Sequence, residues 1–256
     1  MKKETLRLLI LVVFVGLAVW FNLGEDADQP LTESENRSSG EYILAISWQP
    51  AFCEKLPNKP ECRSQHKNRF DATNFTLHGL WPQPRGNSYC DLPQAIVATD
   101  KSGRWSELPK LTLSEELRAE LAQKMPGYRS YLHRHEWYKH GSCMPGYSPE
   151  DYFQISLNLL DAVNDSTFAN GFRRDIGRRL SFRDISSKFV STFGSPANSK
   201  LVVDCYRDDG RRILQEFKLS LRGLINENSD LSELLADGAT LGSSCPSGIV
   251  DRVGLQ

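Results

Sequence analysis

From position 42 the chain sets out apolar side chains at two different periods. In Tyr42-Ile-Leu-Ala-Ile-Ser-Trp48, large residues recur at 42, 44, 46 and 48, the two-residue period of a half-buried strand. Phe75-Thr-Leu-His-Gly-Leu80 reads as a second strand, with Phe75 and Leu77 on one face and Thr76 and His78 on the other. Leu201–Tyr206 and Ile213–Leu221 read as two more, separated by a turn at Asp208-Asp209-Gly210. Between these lie helical signals. Ser114 stands as an N-cap before Glu115 and Glu116, with Leu117 and Leu121 on one face. Tyr128 to Gly141 is a polar and aromatic helical segment ended by glycine. Ser148-Pro149-Glu150 opens a further helix with proline at its first position, followed by Phe153, Leu157 and Leu160. Helices in the middle with strands to either side predict an α+β fold, a central and mostly antiparallel sheet with several packed helices, rather than a regular βαβ repeat.

The N-terminus breaks this pattern. Lys2, Lys3 and Arg7 precede an apolar run from Leu8 to Phe21, interrupted only by Gly16, and Glu25, Asp26 and Asp28 follow. That is the form of a secretory signal. A core helix needs no basic prefix. Counted from Leu6 to Leu23 the run is borderline for the ~20 apolar residues of a membrane span. With no clean A-x-A-like cleavage site, an uncleaved anchor that tethers the protein to a membrane stays open. The expected organisation is residues 1–24 as signal peptide or anchor, 25–40 as a polar, acidic linker, and 41–256 as the catalytic domain. Six cysteines, Cys53, Cys62, Cys90, Cys143, Cys205 and Cys245, form an even set that favours disulfides in an exported chain. None makes a C-x-x-C pair, so a zinc ribbon or thioredoxin-like site has no support. Proximity suggests Cys53 with Cys62; the other pairings stay open on spacing alone.

Charge changes the picture less. The chain carries 31 Lys and Arg against 32 Asp and Glu. Since residues 1–24 hold Lys2, Lys3 and Arg7 against Glu4, the remainder is about three units negative. That argues against holding nucleic acid by bulk charge, though not against an enzyme that takes a polyanion into a local cleft. Arg173, Arg174, Arg178, Arg179 and Arg183 form a basic run that could steer RNA but reads first as a solvated helix face. A hydrophobic fraction of 39% supports a real core and argues against general disorder.

Two segments hold candidate chemistry. In Phe75-Thr-Leu-His-Gly-Leu-Trp-Pro82 a histidine is followed by glycine near a strand end; taken alone, such a histidine is more often structural than functional. In His135-Glu-Trp-Tyr-Lys-His-Gly141, helical spacing puts Glu136, Lys139 and His140 on one face. A solvated salt-bridge face is the plain alternative, but a titratable imidazole and the bulky Trp137 and Tyr138 speak against it. A zinc protease would need a second histidine at 139, where Lys139 stands. Two imidazoles can serve as base and acid in one step, and an ammonium can stabilise charge on a phosphoryl group. RNA brings its own nucleophile, the 2′-hydroxyl, so no activated serine or cysteine is required.

His78-Gly-Leu-Trp-Pro82 and His135-Glu-Trp-Tyr-Lys-His-Gly-Ser-Cys143, 53 residues apart from Pro82 to His135, resemble the two active-site segments of the ribonuclease T(2) family in the family's order. The resemblance spans about Glu41 to Cys245; Trp48-Gln49 before Cys53, with the short signal, is most similar to the broad-specificity periplasmic ribonucleases of Gram-negative bacteria. It implies an endoribonuclease that cleaves single-stranded RNA to 2′,3′-cyclic phosphate and then 3′-phosphate ends, with no metal or organic cofactor, acting as an exported monomer. His140 would be the general base and His78 the general acid. Glu136 and Lys139 would stabilise the transition state, and His135 would bind phosphate. Trp81 would stack the first base, with a core tryptophan as the alternative. Gln83 stands where some members carry a purine-selecting aspartate, so broad cleavage is expected, and Tyr89 would close the same site. The resemblance also implies Cys90–Cys143 and Cys205–Cys245 disulfides, which leaves Cys53–Cys62. A non-catalytic secreted binder on the same fold is the competing class.

Overall fold

The computed structural model describes residues 37–242 and 245–255; the expected signal or anchor segment and nearly all of the expected linker lie outside them. The strands are β1 (Gly40–Ser47), β2 (Thr76–Pro82), β3 (Arg179–Ser181), β4 (Leu201–Asp208), β5 (Arg211–Gly223) and β6 (Ser247–Ile249). They form one sheet in the order β2-β1-β5-β6-β3, with β4 also paired to β5. Every pairing is antiparallel except that of β5 with β6, which is parallel through Ile213 and Ile249.

Alternation decides which face of the sheet is covered. Leu44, Ile46 and Trp48 are fully buried, as are Phe217 and Leu221 on β5. Trp48 meets Phe75 and Phe172 at ring-centroid distances of 5.5 and 5.0 Å in edge-to-face geometry, the arrangement aromatic quadrupoles favour. The helices are α1 (Gln49–Lys55), α2 (Pro60–Arg63), α3 (Gln94–Lys101), α4 (Glu115–Lys124), α5 (Leu132–Lys139), α6 (Pro149–Asn164), α7 (Thr167–Arg174), α8 (Phe182–Phe193) and α9 (Leu231–Asp237). In α6 the Ser148 hydroxyl accepts from the Asp151 N–H while the Asp151 carboxylate accepts from the Ser148 N–H. This reciprocal cap satisfies two donors at the helix start, and Phe153, Leu157 and Leu160 go into the core.

Two expectations need correction. The segment 128–141 is not one helix. A 3₁₀ turn over Pro126–Ser130 ends at Tyr131, whose φ of 62° is left-handed and interrupts the helical path, and α5 begins at Leu132. Nor do the five arginines share a helix face. Arg173 and Arg174 end α7, Arg178 lies in the following turn, Arg179 starts β3 and Arg183 belongs to α8. Arg173 is moreover turned inward, donating to the Thr73 and Asn164 carbonyls and to the Asn74 side chain.

Cys53–Cys62, Cys90–Cys143 and Cys205–Cys245 are disulfide-bonded. The first joins α1 to α2. The second joins the chain after Tyr89 to the 3₁₀ turn Gly141–Cys143 that directly follows α5.

Candidate active site

The register of β2 against β1 slips at one residue. Ala45 pairs with Gly79 while the next residue, Ile46, pairs with Leu77, so His78 is the extra residue of a bulge. A bulge resets the alternation of side chains. His78 and Trp81, three apart and therefore opposed in a regular strand, come together with ring centroids 5.2 Å apart. A second slip, on β5, lies close by: Asp204 pairs with Glu216 and Cys205 with Leu214, which leaves Gln215 over. Strand β1 runs between β2 and β5, so two strand spacings of ~4.8 Å separate their backbones. The β1 residues at that level are small, Ala45 and Ser47. Across them His78 Nδ1 and Glu216 Oε2 meet at 2.6 Å. Glu216 Oε1 lies 3.1 Å from Lys218 Nζ, and Lys218 also pairs with Asp204.

The opposite wall is α5. Glu136 is 1% exposed; its Oε2 accepts from the Trp81 indole N–H at 2.8 Å. Its Oε1 has no hydrogen-bond partner among the described residues and stands 3.5 Å from His78 Nε2 and 3.9 Å from His135 Nε2. The glycine after His78 makes room for that carboxylate: a Cβ at Gly79 would lie 1.9 Å from Glu136 Oε2. Gly141 does the same for a ring, since a Cβ there would lie 2.3 Å from Trp137. His140 caps α5 and stacks on Trp81 at 5.4 Å and 29°. Trp81 thus contacts both imidazoles. His135 Nδ1 is 2.9 Å from Asp100 of α3, and its ring stacks on Trp105 at 4.5 Å.

These surroundings shift the two imidazoles apart. Burial, then the Lys139, His135 and His78 charges, press His140 down to about 3. Burial also works against a charged His78, but the Glu216 hydrogen bond and the Glu136 and Glu216 carboxylates outweigh it and hold His78 above the ordinary imidazole value. Burial raises Glu136, with His78, His135, Trp81 and Lys139 opposing. At neutral pH the site therefore offers one neutral imidazole, one with a raised affinity for its proton, and a buried carboxyl whose unpartnered Oε1 lies near His78 and His135. One group can thus accept a proton and another give one, the two roles of acid–base catalysis. His78, Leu77, Trp105, Gln215 and Glu216 line a cavity of about 200 Å³ beside it. A larger cavity, about 760 Å³, lies elsewhere, and the carboxylates of Glu227, Asp230, Glu233 and Asp237 on its wall outnumber Arg37 and Arg222 and disfavour a polyanion.

The sequence model of the Ribonuclease T2 family matches residues 39–233. The chain belongs to this family. It is 28% identical over 210 residues to Ribonuclease I of Escherichia coli (strain K12), covering 71% of this chain and 74% of that protein. Over 158 residues it is 30% identical to a ribonuclease of Aeromonas hydrophila, covering 60% and 59%. The self-incompatibility associated SF11-RNase of Nicotiana alata superposes with a TM-score of 0.54 over 85% of this chain and all of that one. At 18% identity, that likeness shows the fold.

Within this T2-type endoribonuclease, six of the eight residues singled out by sequence converge: His78, Trp81, His135, Glu136, Lys139 and His140. Tyr89 sits at their edge. Its N–H donates to the Lys139 carbonyl and its hydroxyl to Asp100 Oδ2 at 2.7 Å, so it braces the partner of His135. Gln83 faces away; it donates to the Trp81 carbonyl and lines a separate cavity of about 150 Å³ with Tyr42, Asn87 and Met144. Sequence reasoning missed Glu216, Lys218, Asp100 and Trp105. The available signal for the first two was Glu and Lys alternating with Phe217 and Leu219 on a strand, which is also the pattern of an ordinary solvent face.

Proposed function

We propose that this endoribonuclease cleaves single-stranded RNA by transphosphorylation, with His140 as general base and His78 as general acid. His140, neutral above about pH 3, takes the 2′-hydroxyl proton; the 2′-oxygen bonds to phosphorus as the bond to the 5′-oxygen breaks. His78 gives its Nε2 proton to that leaving oxygen. The products are a 2′,3′-cyclic phosphate and a free 5′-hydroxyl. Water then opens the ring to a 3′-phosphate with the two imidazoles in exchanged roles. Glu136, held by the Trp81 indole and close to His78 and His135, and Lys139 stabilise the charge that develops on the phosphoryl group. His135, oriented by Asp100, holds the phosphate. Trp81 presents what remains of its surface to the first base, a contact of roughly 1–3 kcal/mol that tolerates any base. Broad cleavage rests on that stacking, since Gln83 faces away from the site.

The single observation that carries this reading is the pair of imidazoles that both contact Trp81, with pKa values driven in opposite directions. The proposed mechanism uses no metal ion. Three disulfides and the basic, apolar N-terminus support export to an oxidising compartment. Digestion of a defined single-stranded RNA with mapped product ends tests the reaction. Cyclic phosphate and 5′-hydroxyl ends, formed equally with and without EDTA, are expected. Ends of 5′-phosphate, or loss of cleavage in EDTA, overturn it.

A further inference from the structure

We infer that Glu216 is a positioning residue for this reaction: it fixes the tautomer and aim of His78, so that the proton for the leaving 5′-oxygen sits on Nε2. The inference rests on the acid role of His78 proposed above. Nδ1 of His78 is 2.6 Å from Glu216 Oε2, and a carboxylate can only accept there, so Nδ1 carries a hydrogen. In the neutral ring Nε2 is then the bare acceptor, and in the charged ring it is the transferable N–H. That nitrogen faces the buried, unpartnered Glu136 Oε1, 3.5 Å away, too far for a good hydrogen bond and on the side of Trp81, whose indole holds the other Glu136 oxygen. Glu216 is itself held. Its other oxygen is 3.1 Å from Lys218 Nζ, and Lys218 is tied to Asp204 on β4. The Gln215 bulge precedes it, and the Glu216 side chain is only 16% exposed. A carboxylate this enclosed, with each oxygen committed, is not a solvated strand residue.

Charged groups face His78 from every side. Glu216 and Lys218 come from β5, and Glu136 comes from α5. His140 stacks on Trp81, and Lys59 and Glu61 line the adjoining cavity. Of these only Glu216 touches Nδ1. Its carboxylate favours the protonated ring, so its loss must move the alkaline limb of the pH profile to lower pH.

Two substitutions separate aim from charge. In Glu216→Gln the amide oxygen still accepts from Nδ1–H but the charge is gone; Glu216→Ala loses both. Each is assayed on a dinucleotide, whose 5′-oxygen needs a proton, and on a nucleoside 3′-phosphate ester of p-nitrophenol, whose leaving group does not. His78→Ala is the reference. We expect Glu216→Ala to lose about 10- to 100-fold in kcat on the dinucleotide, less than the ~10²–10⁴-fold of the acid itself, with little loss on the nitrophenyl ester. Glu216→Gln should recover part of that activity at low pH while its alkaline limb stays shifted down. NMR titration of the His78 ring in Glu216→Gln should show the same downward shift without reference to turnover. Equal losses on both esters for Glu216→Ala, while His78→Ala still distinguishes them, overturn the assignment of Glu216 alone, as does an unmoved His78 titration. If His78→Ala also loses equally on both, His78 is not the acid and the inference falls with it.

Discussion

At His140 the ring nitrogen Nδ1 is buried with no hydrogen-bond partner among the described residues, a costly place for a cation. Lys139, one residue away, adds a like charge, and the two together with His135 and His78 keep the ring neutral down to about pH 3. Lys139 thus depresses His140, and in the proposed mechanism it also meets phosphoryl charge. Lys139→Met removes both. Without the ammonium the pKa of His140 rises, so the acid limb of kcat moves toward neutral pH. Turnover on the plateau falls by about 10²-fold, the order found when one donor to a developing oxyanion is removed. A pH series of kcat on a dinucleotide reads both effects; a profile whose acid limb does not move contradicts the role given to Lys139. Glu136 shows the same logic from the carboxyl side, since burial rather than a neighbouring charge is what raises it.

The elements bring these groups together through irregularities more than through regular strands and helices. Alternation in Tyr42–Trp48 and the Ser148-Pro149 start of α6 were legible because burial on one face and helix capping act locally. The bulge at His78 was not: it depends on which residue of β1 pairs with which of β2, a register the sequence of β2 does not contain. For the same reason Glu216 looked like an outward strand residue, and Asp100 like an ordinary acid near the end of α3. The two motif glycines were visible, but their purpose needed the partner element. Gly79 lies against the Glu136 carboxylate, where a Cβ would be 1.9 Å from Oε2. Gly79→Ala should therefore push β2 and α5 apart or turn Glu136 out of place. A shift of ~1 Å at such a site can cost about 10²-fold in rate, so kcat on RNA should fall by that order, with a lower thermal midpoint. Unchanged turnover would show that the close approach is not needed.

Across the whole molecule, the sheet and α5 supply one imidazole each, and the Cys90–Cys143 disulfide ties the chain beside Tyr89 to the turn after His140. With a sequence separation of 53 residues, that link is worth about 4 kcal/mol in the chain-entropy account, so it stabilises the fold while fixing the wall of the site. The basic run that the sequence put on one helix face is distributed over α7, the turn after it, β3 and α8, and a net charge near zero leaves substrate capture to the local site. The proposed mechanism requires two imidazoles serving one phosphodiester, one accepting and one giving a proton. The most direct test is the pH dependence of kcat/KM for a dinucleotide, measured on the wild-type chain, His78→Ala and His140→Ala, each verified as folded by circular dichroism. A bell-shaped wild-type profile is expected, with turnover in each variant reduced by ~10²-fold or more, the alkaline limb absent in His78→Ala and the acid limb absent in His140→Ala. A folded variant that keeps both limbs and wild-type turnover contradicts the account.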